Sequence, residues 1–138
     1  MNSIIRNIVA VIVGLLIGHS ANFMLIKLGY TMFPIEGIDP NNFKELVKVM
    51  PTLDFKHFIF PFLAHALGTL LGVLVTTIIA VNHKLKFAYG MGGFFLIGGI
   101  WASMVIPAPT WFVLTDLILA YIPMAWLGAK LTIKKQEL

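Results

Sequence analysis

Long apolar stretches alternate along the chain with short polar breaks, at a spacing that suits helices crossing a bilayer. A transmembrane helix needs about 20 mostly apolar residues. Such stretches cover residues 4–28, 58–81, 87–106 and 110–129. In the first, beyond Arg6 and Asn7 at its start, only His19, Ser20, Asn22 and Lys27 are strongly polar. A short basic turn, Asn82-His83-Lys84-Leu85-Lys86, separates the second from the third. Pro107-Ala108-Pro109 separates the third from the fourth and leaves room only for a tight hairpin between antiparallel helices. The pattern predicts an all-α fold, an integral membrane four-helix bundle forming a single domain over residues 1–138. Arg6 followed by an apolar run, with small residues near Ser20-Ala21, also fits a signal peptide. The run exceeds the roughly 7–15 residues of such a core, so a retained span is expected.

The first outer loop carries its own helical signal. Asp39 suits an N-cap and Pro40 a first helical position. Phe43, Leu46, Val47 and Met50 then form one apolar stripe before Pro51 stops the run. A short amphipathic helix over residues 40–50 is predicted, on the outer membrane surface or over the bundle mouth.

Gly14 and Gly18 in the first span, and Gly68 and Gly72 in the second, make GxxxG pairs that permit close backbone approach. In the third span Gly92, Leu96, Gly99 and Ser103 share a face. Such faces serve contacts within a chain or between chains, so a homo-oligomer or a place in a larger membrane complex is an open expectation. Pro123 is expected to kink the fourth span and free a carbonyl. Leu63-Ala-His65-Ala-Leu in the second span and Leu114-Thr-Asp116-Leu-Ile in the fourth are weakly alike.

Composition agrees with the pattern. Hydrophobic residues make up 59% of the 138 and charged residues 12%, about half the share of a soluble domain. The bulk solvent is therefore lipid. Cysteine is absent, which excludes disulfides, thiolate chemistry and Cys-ligated metals. The net charge of +4 does not imply nucleic acid, because the basic residues stand at the ends of the apolar runs. Arg6, Lys84, Lys86, Lys130, Lys134 and Lys135 share one side. Lys27, Lys44, Lys48 and Lys56 lie on the other, offset by Glu36, Asp39, Glu45 and Asp54. The asymmetry predicts a multi-pass protein of a bacterial inner membrane with both termini cytoplasmic.

No P-loop, dinucleotide fingerprint, HExxH or GxSxG motif is present. No catalytic set and no metal site is assigned, and an enzyme is not the expectation. The remaining chemistry lies in polar groups within the spans, where an ionisable side chain costs at least about 2.5–3.5 kcal/mol to insert. His19 and Asn22 lie one turn apart in the first span. His65, Thr69, Gly72 and Thr76 share a face of the second, where the threonine hydroxyls are expected to bond the preceding turn. Asp116 is the one carboxylate inside any span. Trp101 and Tyr121 read as packing or hydrogen-bonding residues.

Counted inward at 1.5 Å per residue, His19, His65 and Asp116 fall about 9–10 Å below the outer surface. His19, Asn22, His65 and Asp116 are therefore expected to converge on one ligand- or proton-binding site in the outer half of the membrane, with Ser103 completing its wall.

Phe58-Ile-Phe-Pro-Phe-Leu-Ala-His-Ala-Leu-Gly-Thr, with Asp116 and Ala120-Tyr-Ile-Pro-Met, resembles a family of small four-span bacterial membrane proteins of no known activity. The resemblance covers most of the chain and implies membrane residence without a reaction. Three functions fit these residues. The polar cluster binds or conducts a proton, ion or small polar solute, with no cofactor. Alternatively, His19 and His65 are the axial ligands of a haem b. In the third, the chain is an accessory or structural subunit whose polar residues serve only helix association.

Overall fold

The computed structural model describes residues 2–133. It is built from helices α1 (Ser3–Met32), α2 (Phe43–Val49), α3 (Lys56–Ile79), α4 (Lys84–Val105), α5 (Thr110–Leu119) and α6 (Ile122–Thr132). The described residues form no strand. Four helical stretches, Ser3–Met32, Lys56–Ile79, Lys84–Val105 and Thr110–Thr132, are long and apolar enough to cross a membrane. Lys134 and Lys135, which enter the charge asymmetry, lie outside the described residues.

The bundle is organised on α1 and α3, its most extensive helix pair. Apolar burial drives helix association weakly in lipid, so contact depends on how closely backbones approach. Glycine makes the approach possible. A Cβ on Gly14 would stand 2.7 Å from the Gly72 carbonyl oxygen, and one on Gly18 would stand 2.8 Å from that of Gly68. The two GxxxG pairs therefore meet each other inside one chain, in antiparallel register. Phe95 of α4 covers this seam, its ring lying against Gly18 and Gly72.

Two further contacts set the ends of the bundle. Where α1 begins, Asn7 donates to Asn82 at 2.6 Å and accepts from the Val81 amide at 3.0 Å, while Arg6 donates to the Ile79 carbonyl at 2.8 Å. These bonds tie the start of α1 to the basic turn. In the half of the bundle beside it, Val73, Ala88, Met91, Ala125, Ala129 and Ile133 form a buried core, and a groove of about 240 Å³ runs along the α1–α4 flank between Val11, Leu15, Phe87 and Met91.

At the opposite end, α2 exists but starts later than residue 40. Asn42, not Asp39, is its N-cap, accepting from the Glu45 amide at 3.4 Å. Asp39 instead bonds Asn41, amide and side chain both, one turn earlier. A single 3₁₀ turn, Met50–Thr52, extends α2 and holds Pro51. The helix lies over the bundle mouth: Leu46 is buried and Met50 half-buried, while Phe43 at the start of the stripe is 51% exposed.

The α1–α3 seam makes a direct stability prediction. Gly14→Val forces a side chain into the Gly72 carbonyl and the Thr76 hydroxyl. It should cost about 1–3 kcal/mol in thermal unfolding in detergent, the usual penalty for overpacking. Gly90→Ala on α4, where a Cβ meets nothing within 4 Å, should be neutral or stabilising. Equal stability of Gly14→Val and the parent would contradict the seam.

Candidate functional site

The fourth span is broken, and the break builds the site. Proline at position 123 has no amide proton and its ring crowds the carbonyl of Leu119, which favours a kink or a break at this point. α5 ends at Leu119 and α6 starts at Ile122, with Tyr121 at φ −116 and ψ −77 between them. In a continuous helix, neighbours on a face are three or four residues apart, and residues five apart diverge. Across the break, Tyr121 reaches back five residues and donates its hydroxyl to Asp116 Oδ2 at 3.0 Å. Gly99 of α4 makes room for the phenol, because a Cβ there would strike the Tyr121 ring.

His65 closes the cluster from α3. Its Nδ1 lies 2.8 Å from Asp116 Oδ1 and 2.9 Å from Oδ2. Its ring stacks on Tyr121 with centroids 5.9 Å apart. Asp116 is 4% exposed and Tyr121 3% exposed. A buried carboxylate without donors would be costly, and here two donors from different elements satisfy it. With Asp116 ionised, the carboxylate only accepts, which places the imidazole proton on Nδ1 and the lone pair on Nε2. Asp116 thus holds His65 in one tautomer, with Nε2 left to accept.

Two hollows meet at His65. The outer one, of about 130 Å³, lies under the α2 lid between Tyr30, Met50, Ser103, Asp116 and His65. The second, of about 250 Å³, lies between α1, α3 and α4 and takes in His19, Asn22, His65, Thr69 and Trp101. His65 and Asp116 are therefore bonded partners. Asn22 and His19 share a cavity with His65 and do not bond Asp116. Ser103 lies in the outer cavity and spends its hydroxyl on the Ile100 carbonyl at 2.7 Å.

His19 is exposed on the flank of the bundle, its Nδ1 bonded to the Leu15 carbonyl at 3.0 Å and its ring 5.3 Å from that of Phe95. No group of three or more His, Asp or Glu side chains among the described residues is placed to hold a metal.

Tyr121, expected from sequence to pack or hydrogen-bond, does both, and what sequence did not indicate is that its partner is Asp116. Thr69 was expected to bond the preceding turn, as Thr76 does to the Gly72 carbonyl at 2.8 Å, yet its buried hydroxyl has no partner among the described residues. Pro123 was the available signal for Tyr121. The orphan hydroxyl had no signal in the sequence.

Comparison with protein-family models, with curated proteins and with solved structures finds no match for this chain.

The dependence of the Tyr121–Asp116 bond on the helix break is measurable by a double-mutant cycle. Tyr121→Phe removes a hydrogen bond to a buried carboxylate and should cost about 1.5–3 kcal/mol in the parent. In a Pro123→Ala background, where the helix can heal and turn Tyr121 away, the same change should cost little. Equal costs in both backgrounds would show that Pro123 does not position the phenol.

Proposed function

We propose that this is a multi-pass membrane protein that binds a proton or a small hydrogen-bonding solute inside the bilayer at His65, with Asp116 and Tyr121 as positioning residues. The observation that carries the reading is the bond from His65 Nδ1 to a buried carboxylate. When Nε2 takes up a proton, the imidazolium already has its counter-ion. No unpaired charge is created, which is what makes protonation at this depth affordable. The outer cavity beside His65 and Asp116 supports access from the α2 side.

The packed half next to the termini, sealed by Val73, Met91 and Ala125, argues for binding rather than open conduction. The haem alternative has less support: His19 is exposed on the bundle's flank, at the rim of the open cavity it shares with His65.

Nitrogen NMR of histidine-labelled protein in bilayers tests the reading. At neutral pH, His65 should show a protonated Nδ1 and a bare Nε2, and acidification should convert Nε2 reversibly to N–H. A His65 Nε2 resonance that never responds while the protein stays folded would refute the proposal.

The orientation belongs to the same proposal, with the termini and the basic turn in the cytoplasm and α2 outside. The chain has no cysteine, so single cysteines report cleanly. Asn41→Cys should react with an impermeant maleimide in intact cells, and His83→Cys only after permeabilisation. The opposite pattern would invert the topology.

A further inference from the structure

The cavity of about 250 Å³ opens sideways. α4 packs mainly on α3 and α6 and meets α1 through the rings of Phe94 and Phe95. The α1 and α4 residues at its rim, His19, Phe94, Gly98 and Trp101, are all exposed on the flank that faces lipid. Its mostly apolar lining carries a few polar groups: Asn22 on α1, His65 with an imidazole whose Nδ1 is already spent on Asp116, and Thr69 one turn along the same face of α3.

Thr69 is the exception among helical threonines. Thr31, Thr76, Thr77, Thr115 and Thr132 each donate to the carbonyl four residues earlier. Thr69 is 1% exposed, and its hydroxyl forgoes that bond and any other among the described residues.

We propose that this cavity binds a membrane-dissolved alcohol or phenol, whose hydroxyl bridges His65 and Thr69 while its apolar body lies between Trp101 and Phe94. The inference rests on the reading of His65 above, and deepens it by naming the ligand class and its route of entry. Residues four apart on a helix have Cβ atoms about 5–6 Å from each other, a gap that one bridging oxygen spans. His65 Nε2 needs a donor, and the Thr69 O–H needs an acceptor.

A hydroxyl supplies both in one atom. A ketone or ether has no proton to give Nε2, and an ammonium has no lone pair for Thr69. A carboxylate would bring a second negative charge beside Asp116. The aromatic rim and the sideways opening favour a ligand arriving from the bilayer over one arriving from water.

The test uses the full chain in nanodiscs. Of its three tryptophans, Trp111 and Trp126 are replaced by Phe, leaving Trp101 at the cavity as the reporter. The probes are a brominated long-chain primary alcohol, its methyl ether and the matching bromoalkane. The alcohol should quench Trp101 saturably and bind about tenfold tighter than the ether, the worth of one good hydrogen bond.

Thr69→Val removes a hydroxyl that has no partner among the described residues, so the fold should survive while the alcohol and the ether both weaken about tenfold toward the bromoalkane, the alcohol keeping its advantage over the ether through His65. Gly98→Leu fills the cavity from a position where a Cβ meets nothing within 4 Å, and should abolish saturable quenching without unfolding the protein. Non-saturable quenching equal for all three probes, or alcohol and ether binding unchanged in Thr69→Val, would overturn the inference. So would protection of Trp101 by a second copy of the chain, seen as a dimer cross-linked through Gly98→Cys. If alcohol binding fails while the His65 Nε2 still takes up a proton, the ligand class is wrong and the site stands. If both fail, both readings fall.

Discussion

Everything in this fold follows from how closely α1 and α3 approach. Lipid offers two apolar helices little reason to associate, so their contact is bought with backbone proximity at Gly14, Gly18, Gly68 and Gly72. That seam sets an antiparallel register, and the register sets the neighbours one turn above it. Asn22 lies beside Gly68, its Cβ at 3.3 Å from where a Gly68 side chain would begin. His65, one turn from Gly68 on α3, then lies at the level of Asn22. Because α1 occupies the glycine face of α3, α4 is left to pack on α3 and α6, with Phe95 as its only deep reach toward the seam. The gap between α1 and α4 is thus a consequence of the tight pair.

The second constraint is electrostatic. A carboxylate at this depth is tolerable only if its oxygens are occupied and its charge has a partner. Asp116 meets both conditions with side chains that its own helix could not supply in regular form. His65 comes from α3, and Tyr121 comes from beyond a break that proline favours. The helix gives up continuity at Ala120–Tyr121, and the freed geometry returns a donor to the buried charge. Both the break and the bond lie within one span, so a change at Pro123 and a change at Tyr121 act on the same interaction.

The spans were legible because runs of some twenty apolar residues leave few alternatives. Depth was legible too, since it depends only on counting residues from an interface at a fixed rise. Counting brought His65 and Asp116 to one level, and the structure places them in contact. Rotation about the helix axis was the missing coordinate. Gly18 faces α3, and each residue turns about 100° from the last, so its neighbour His19 is carried round to the flank.

Tyr121 was hidden for a related reason. A spacing of five residues joins two side chains only where the helix is broken, and the presence of Pro123 does not say how the break is shaped. The start of α2 was misplaced because Asp39 and Asn42 both carry capping chemistry, and only the local bonds of Asn41 and Glu45 decide between them.

The two halves of the bundle have been treated differently by the same chain. Beside the termini, Val73, Ala88, Met91 and Ala125 fill the interior, and the Thr77 and Thr132 hydroxyls satisfy each other at 2.6 Å. Toward α2, cavities of about 130 and 250 Å³ remain around one histidine. The larger opens on the flank of the bundle, where its rim residues His19, Phe94, Gly98 and Trp101 are exposed, so an occupant can enter it from the surroundings. The α1–α4 flank is grooved in both halves, by about 240 Å³ beside Val11 and Leu15 and by about 250 Å³ beside His19, and the second reaches a buried hydroxyl with no partner among the described residues. A lipid tail would fill the volume and leave the Thr69 hydroxyl unpaired in a nonpolar setting. Water would satisfy that hydroxyl but gains little beside Phe94, Phe95 and Trp101. An occupant with one polar end and an apolar body meets both demands, and the position of His65, at the junction of the two cavities, puts that polar end where Asp116 has already oriented an acceptor for it.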